Sequence, residues 1–499
     1  MMRKWTIDIN RYLILCIGLF TLCFFSSASN SEKENDRLLE IVKAYADAMI
    51  EKGRDTYGDE HSPLFAAALD RSNMKLGSAE SFGKIPGVRE NDRSLGGANP
   101  QEDQSLYAIL YQLTSVTGDE KYAREADNAL KYFFDNCQSP ETGLMAWGEH
   151  LYWDFRNESY GGTDMHEING EWTFWDQCYR LAPEASWHYA MGLWDNQIDS
   201  KETGDFSRHA RWLSRETYRG FEFPRYAGQM ILTWTDAYVR KENKHKKRRG
   251  ELINAISTIV GRMEGNMKMS ESGYLIAGRA EQGDHINVVW LSSNLEMARC
   301  LWDAAHLIKE VDERLAVRME NLAMKQDLDF HRTKHHIFEG GGFAVTLHAK
   351  TGEPRHREMN NPYTAVWATG YGYSTHSNLA NLLFSRYQQL KNSHPQLADK
   401  YKKLIISSAD QYLSASPEKD DLQKPDAFAN VVELMINSYS LTGEDKFLRR
   451  AEYFAWIGID LFLTDGNPLP MATNQHDHYE AITGGPNFME ALLQLYQQY

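Results

Sequence analysis

The sequence predicts an all-α protein whose helical hairpins close into an (α/α)6 toroid, with a few short strands on the rim. Three observations lead there. Apolar residues repeat at the 3.6-residue spacing of amphipathic helices in stretch after stretch. One hairpin is spelled twice, near each end of the chain, around the same turn. Long aromatic-rich connections separate the helices, as they would at the mouth of a ring built on a rigid scaffold.

The first 29 residues stand outside this fold. Arg3, Lys4 and Arg11 precede an apolar run from Tyr12 to Phe25, and Ser26-Ser27-Ala28-Ser29 follows. Basic, apolar and then small residues are the order of a secretory signal. The run is about fourteen residues, short of the roughly twenty that span a bilayer. Cys23 would suit lipid attachment, but the bulky Leu22 stands where a small residue is usual. The expected product is one domain, 30–499, secreted or periplasmic, without stable membrane insertion.

Formal net charge is −15, and cleavage would remove more basic residues than acidic ones. Nucleic-acid binding draws its affinity from neutralising phosphates, so this balance excludes it as the main business of the chain. The one basic run, Lys244 to Arg249, reads as a solvated turn between helices. Of five cysteines, Cys16 and Cys23 leave with the signal; Cys137, Cys178 and Cys300 make neither a disulfide framework nor a zinc pair. Stability must come from an apolar core.

The clearest helix begins at Asn99-Pro100-Gln101-Glu102, with Asn99 as cap, Pro100 at the first helical position and Glu102 completing a capping box. Leu106, Ile109, Leu110 and Leu113 then share one face. After Thr117-Gly118, Asp119 caps a second helix with Tyr122, Ala126, Ala129, Leu130 and Phe133 on one side. The unit recurs around Thr442-Gly443-Glu444-Asp445, with Val431, Leu434 and Met435 before the turn and Ala451 and Phe454 after it. Looser hairpins run around Met230–Met263 and Ser292–Met324, and Phe488, Leu492 and Leu495 mark a last helix. Hairpins repeated this way need neighbours to bury their apolar faces. A spacing of about seventy residues allows six of them, which favours a closed ring over an open solenoid. Gly340–His348 reads as a short rim hairpin.

The richest connection runs Trp147–Trp175 and holds Trp153, Trp172, Glu149, His150, Asp154, Asp164, His166, Glu167 and Glu171. Sugars present apolar C–H faces and hydroxyl edges, so aromatic platforms beside carboxylates suit them. Any single tryptophan reads rather as core, whereas the cluster as a whole reads as a site. Elsewhere, Arg225 could hold a carboxylate with its bidentate fork, or serve as a salt-bridge residue, and the same holds for His209. Asp92, Arg93 and Asn99 lead into the first capped helix, whose N-terminus could face a sugar carboxylate. Tyr226 and His285 complete the candidate binding residues. His476-x-His478 is a weak metal signal; HExxH, Walker, GxSxG and redox motifs are absent. No cofactor or metal is expected.

The capped helix from Asn99 to Leu113, the Thr-Gly-Asp/Glu turns and the Trp-rich mouth resemble six-hairpin glycosidases and their (α/α)6 relatives. Among these the β-glucuronidases and unsaturated-glucuronyl hydrolases come first. The stretches Trp147-Gly148-Glu149-His150-Leu151 and Met165-His166-Glu167 are similar to secreted proteins of polysaccharide-degrading bacteria. The resemblance implies the toroid and a carbohydrate substrate. It assigns no catalytic residue, because this fold hosts hydrolases, lyases and epimerases.

The expected function is a glycoside hydrolase, with a polysaccharide lyase and a glycan-binding protein as alternatives. Glycoside hydrolysis next to a uronic acid would use two carboxylates, Glu149 and Glu167 being preferred, with His166 beside them and His150 and Arg225 orienting the sugar. A polysaccharide lyase acting by β-elimination would draw a base and carboxylate-neutralising groups from His166, His209, Tyr226, Arg225 and Asn99. A non-catalytic glycan-binding protein would need the aromatics alone. In each case the expected partner is an oligo- or polysaccharide.

Overall fold

The computed structural model describes residues 35–168, 170–216, 221–240, 246–276, 287–355, 362–367, 374–418 and 420–499. The helices are α1 (35–52), α2 (Gln104–Thr117), α3 (Lys121–Asn136), α4 (Trp175–Leu181), α5 (Pro183–Asn196), α6 (Pro224–Val239) and α7 (Lys246–Met269). They continue with α8 (Leu291–Ile308), α9 (Glu313–Arg332), α10 (His376–Leu390), α11 (Pro395–Tyr412), α12 (Pro425–Thr442), α13 (Asp445–Phe462) and α14 (Gly485–Tyr496).

The faces predicted to be apolar are the faces that pack. Leu106, Ile109, Leu110 and Leu113 of α2 are buried, as are Tyr122, Ala126, Ala129, Leu130 and Phe133 of α3. The repeated unit behaves alike in α12 and α13. Both hairpins turn on a left-handed glycine, Gly118 (φ 74°) and Gly443 (φ 69°), whose backbone N–H returns to the preceding helix. At about 1.5–3 kcal/mol per fully buried Leu-sized side chain, these stripes hold the hairpins together.

Packing closes the ring. Inner helices α6, α8, α10, α12, α14 and α2 contact one another in that order, and α7, α9, α11, α13 and α3 lie outside them. α1 completes the outer layer, with Arg37 over the Trp456 ring of α13 and Asp47 3.1 Å from Lys121 of α3. Between α2 and α6 the short α4 fills the inner wall, with α5 behind it. Phe174 packs on Tyr107 and Tyr111 of α2, and Asp176 meets Arg240 at the end of α6. The all-α toroid is the observed fold. Among the described residues, no helix is long and apolar enough to cross a membrane.

The rim carries short strands: β1 (Ala68–Leu69), β2 (Gly97–Ala98), β3 (Leu151–Asp154), β4 (Ser159–Gly162), β5 (Met165–Glu167), β6 (His209–Arg211), β7 (Val288–Trp290), β8 (Thr346–His348) and β9 (Tyr479–Glu480). Three expectations need correction. Asn99 does not cap α2, which starts at Gln104 after Asp103; the Asn99 amide instead bonds Ser94 and both backbone groups of Gly148. Gly340–His348 is no hairpin, because β8 pairs with β7. The basic run is not wholly a turn. Residues 246–249 open α7, with Arg248 paired to Asp195 and Glu251, while 244–245 lie outside the described residues.

Candidate active site

Backbone pairing assembles the polar cluster. β5 runs antiparallel to β6 in a register that sets Glu167 opposite His209. A parallel bridge joins Glu167 to Gly148, which brings Glu149 and His150 alongside. Glycine is required at 148: its φ is 115°, and a Cβ there would lie 1.9 Å from the Glu167 carbonyl oxygen. Gly148→Ala is therefore expected to cost roughly 1–3 kcal/mol for the crowding and a similar amount for the strained backbone. A thermal midpoint within a degree of the wild type would contradict this.

Glu167 is the hub, with no exposed surface. Its Oε2 lies 2.5 Å from His209 Nε2 and 3.5 Å from His150 Nε2. Its Oε1 accepts from the Tyr226 hydroxyl and, at 3.2 Å, from Arg208 Nη1. Burial works to raise the carboxyl's pKa, yet His209, Arg208 and Tyr226 bring it down to about 2. Glu149 goes the other way: burial and the charge of Glu167 push it up to about 7 against Arg89.

A second layer fixes the first. Asp92 Oδ1 lies 3.0 Å from His150 Nδ1, and Asp92 Oδ2 accepts from Arg89 Nε at 2.6 Å. Arg89 also bonds Glu149, whose Oε2 stands 3.9 Å from Arg208 Nη1. A cleft of about 560 Å³ opens beside them, lined by Lys84, Arg89, Asp92 and His150 among others.

His150, Glu167 and His209 each offer one ligand atom, all within 4.8 Å of one another. Two imidazole nitrogens and a carboxylate oxygen suit a divalent transition-metal cation. The surroundings fit as well. A metal-bound imidazole normally hands its other nitrogen to a carboxylate, as His150 does to Asp92. The far oxygen of Glu167 is already engaged, leaving Oε2 for the cation. No motif spacing in the sequence announces this trio. The His-x-His it did flag is used otherwise: His478 bonds Glu480 at 2.8 Å, and His476 bonds Lys84 O and Thr473.

Of the predicted residues, Asp92, Glu149, His150, Glu167, His209, Arg225 and Tyr226 come together. Others do not. His166 alternates away from Glu167 on β5 and points into the core, where its ring meets Tyr189 and burial drives its pKa down to about 3; it is no acid or base for a sugar. Arg93 is locked in a buried pair with Glu480. Asn99 clips the rim loops together, and Asp154 caps a turn at Arg156 and Asn157. Trp153 and Trp172 are buried, not platforms. Trp147, Trp172 and Trp175 wedge with Phe133 and Phe134 behind the site. His285 lies outside the described residues. Arg208 and Arg89 are not among the predicted residues; the hint in the sequence is Arg208 standing next to His209 in a charged segment.

The family model for periplasmic pectate lyase matches residues 81–255. Pectate disaccharide-lyase of Dickeya dadantii (strain 3937) is 22% identical over 148 residues, 29% of this chain and 27% of that protein, so the match spans about a quarter of the curated relative. Solved structures similar to the chain include cellobiose 2-epimerase from Bacillus thermoamylovorans B4167 (TM-score 0.48, 10% identity, 93% of this chain and 100% of that one). An unsaturated glucuronyl hydrolase from Bacillus sp. GL1, one of the groups resembled in sequence, is another (TM-score 0.41, 12% identity, 84% and 92%).

Proposed function

We propose that this chain is an extracytoplasmic polysaccharide lyase that cleaves a uronate glycan, pectate foremost, by cation-assisted β-elimination. The observation that carries the reading is the state of Glu167. A carboxylate with no exposed surface, one oxygen held by Tyr226 and Arg208 and the other facing two imidazoles, is built as a ligand and not as a base or nucleophile for a sugar. Hydrolysis by paired carboxylates then lacks its second member. The match to the periplasmic pectate lyase model supports the same reading, because residues 81–255 contain every member of the cluster.

A divalent cation on His150, Glu167 and His209 would neutralise the uronate carboxylate and so acidify the proton on the adjoining ring carbon. The protein's own groups do the rest. Asp92 and Arg89 hold the His150 ring, and Tyr226 holds Glu167. Arg208 and Glu149 border the cluster and stay partly open, with side chains 18% and 17% exposed. The proton acceptor comes from this pair, Glu149 as its carboxylate or Arg208 as the neutral guanidine. Loss of that proton, formation of the ring double bond and departure of the neighbouring glycosidic oxygen complete the elimination. The leaving oxygen takes up a proton.

Incubating the full chain with polygalacturonate and a divalent transition-metal salt is expected to raise ultraviolet absorbance, because elimination leaves a conjugated double bond. Products heavier by one water, with no absorbance, would instead establish hydrolysis. The divergence of Glu149 (about 7) from Glu167 (about 2) is the one feature favouring that second reading. Binding without turnover on any uronate glycan would leave a glycan-binding protein. Glu149→Gln and Arg208→Lys then identify the acceptor: the variant that keeps substrate affinity but loses turnover by roughly 10²–10⁴-fold has lost it.

A further inference from the structure

Glu167 divides its two oxygens between two tasks, and something must hold the carboxylate in that rotation. Oε2 faces the imidazoles, while Oε1 is turned to Tyr226 and Arg208. Arg208 remains partly exposed. Tyr226 is buried in the first turn of α6, just after Pro224, whose fixed φ suits that position.

The direction of the tyrosine proton follows from its other neighbour. Arg225 Nη2 donates to the Tyr226 oxygen at 2.7 Å. A guanidinium has donors only, so the hydroxyl must accept from Arg225 and give its own proton to Glu167. Arg225 is secured in turn. Its backbone N–H donates to Ser293 Oγ at 3.0 Å, and its charge sits near Glu296 of α8. Arg299, one helical turn beyond Glu296, meets Glu171 at 2.5 Å. Glu171 lies just past Glu167 in the chain, so the contacts form a circuit from the rim strand through α6 and α8 and back. Phe223 separates the two guanidiniums beside the site, its ring centre 5.8 Å from Arg208 and 5.7 Å from Arg225.

We propose that Tyr226 is a positioning residue for Glu167: its hydroxyl, oriented by Arg225, fixes Oε1 and thereby aims Oε2 at His150 and His209. The inference rests on the cation reading of the site. Residues that orient metal ligands from behind typically change cation affinity by roughly 10–100-fold when removed, without touching substrate.

The test is a Co²⁺ titration of the chelator-treated full chain, followed by the cobalt absorption bands, for the wild type, Tyr226→Phe, Arg225→Lys and Tyr45→Phe. Tyr226→Phe is expected to bind Co²⁺ at least about tenfold more weakly, with altered band intensities. Arg225→Lys, which keeps the charge but loses the planar fork, is expected to weaken it less, and supplies the readout if Tyr226→Phe does not fold. Tyr45→Phe removes a different buried hydroxyl, bonded to Tyr479 at 3.0 Å, and should bind Co²⁺ as the wild type does. Unchanged affinity and spectrum in Tyr226→Phe would overturn the proposal. So would an equal loss in Tyr45→Phe, which would make the effect one of general loosening. A wild type that binds no Co²⁺ would overturn the cation reading itself, and the role of Tyr226 with it.

Discussion

Glu167→Gln is expected to lose turnover on polygalacturonate by well over about 100-fold and to lose cation binding in parallel. The lower bound comes from what removing a group one step behind a metal ligand costs, roughly 10–100-fold; removing the ligand itself must cost more. The substitution keeps the shape of the side chain but deletes the charge that His209, His150, Arg208 and Tyr226 converge on. An amide also brings two N–H donors. One of them would face Tyr226 and Arg208, or else the two imidazoles, and each orientation breaks the present pattern. The measurement separates the two chemistries. With a cation ligand at 167, a chelator silences the wild type and added metal restores it, whereas nothing restores Glu167→Gln. In a hydrolase that uses Glu167 as its base, the variant would be equally inactive, but chelation would leave the wild type untouched. Full activity in a chelator therefore sinks the cation-assisted reading whatever Glu167→Gln does.

The sequence made the scaffold readable and the site only half so, for a physical reason. Helices declare themselves locally, because burial repeats every 3.6 residues along the chain; the stripes of α2, α3, α12 and α13 were legible for that reason. The turn glycines Gly118 and Gly443 were legible too, since a left-handed C-cap favours glycine. The candidate ligand cluster obeys no such period. His150, Glu167 and His209 meet through a three-residue strand pair and a single bridge, and strands that short carry no detectable alternation. Glu149, Glu167, His150 and His209 were picked out by composition; that His166 faces the core while Glu167 faces the site depended on which side of β5 each one takes. The tryptophans misled for a related reason. Large aromatics mark both sugar platforms and cores, and here they fill the seam where α4 and α5 interrupt the regular hairpins. Composition drew attention to the loop that carries the cluster, and within it to Glu149, His150 and Glu167 together with tryptophans that are core.

Arg386→Met is expected to be the most damaging single change to stability outside the site, at about 3–5 kcal/mol. Arg386 on α10 and Asp327 on α9 form an ion pair with neither side chain exposed, at 2.6 Å. Arg386 Nε donates to the same carboxylate at 3.0 Å, and the Tyr401 hydroxyl of α11 adds a bond at 2.7 Å. One inner helix and two outer helices are thus joined by a buried charge network. Removing the arginine strands a carboxylate in the core with the Tyr401 hydroxyl as its remaining hydrogen-bond donor among the described residues, and the desolvation penalty is then no longer offset. Asp327→Leu combined with Arg386→Met should recover much of the loss, because a buried pair often contributes little beyond an apolar replacement of similar size. Denaturant midpoints of the two single variants and the double variant measure this; a single variant within about 1 kcal/mol of the wild type would contradict it. The same proteins test whether site and scaffold are separable. α9, α10 and α11 contribute nothing to the His150, Glu167 and His209 cluster, so Arg386→Met, kept cold enough to stay folded, should bind Co²⁺ with wild-type affinity. A fall in affinity would mean that strain in that wall of the ring reaches the rim strands, and that the toroid takes part in shaping the site as well as carrying it.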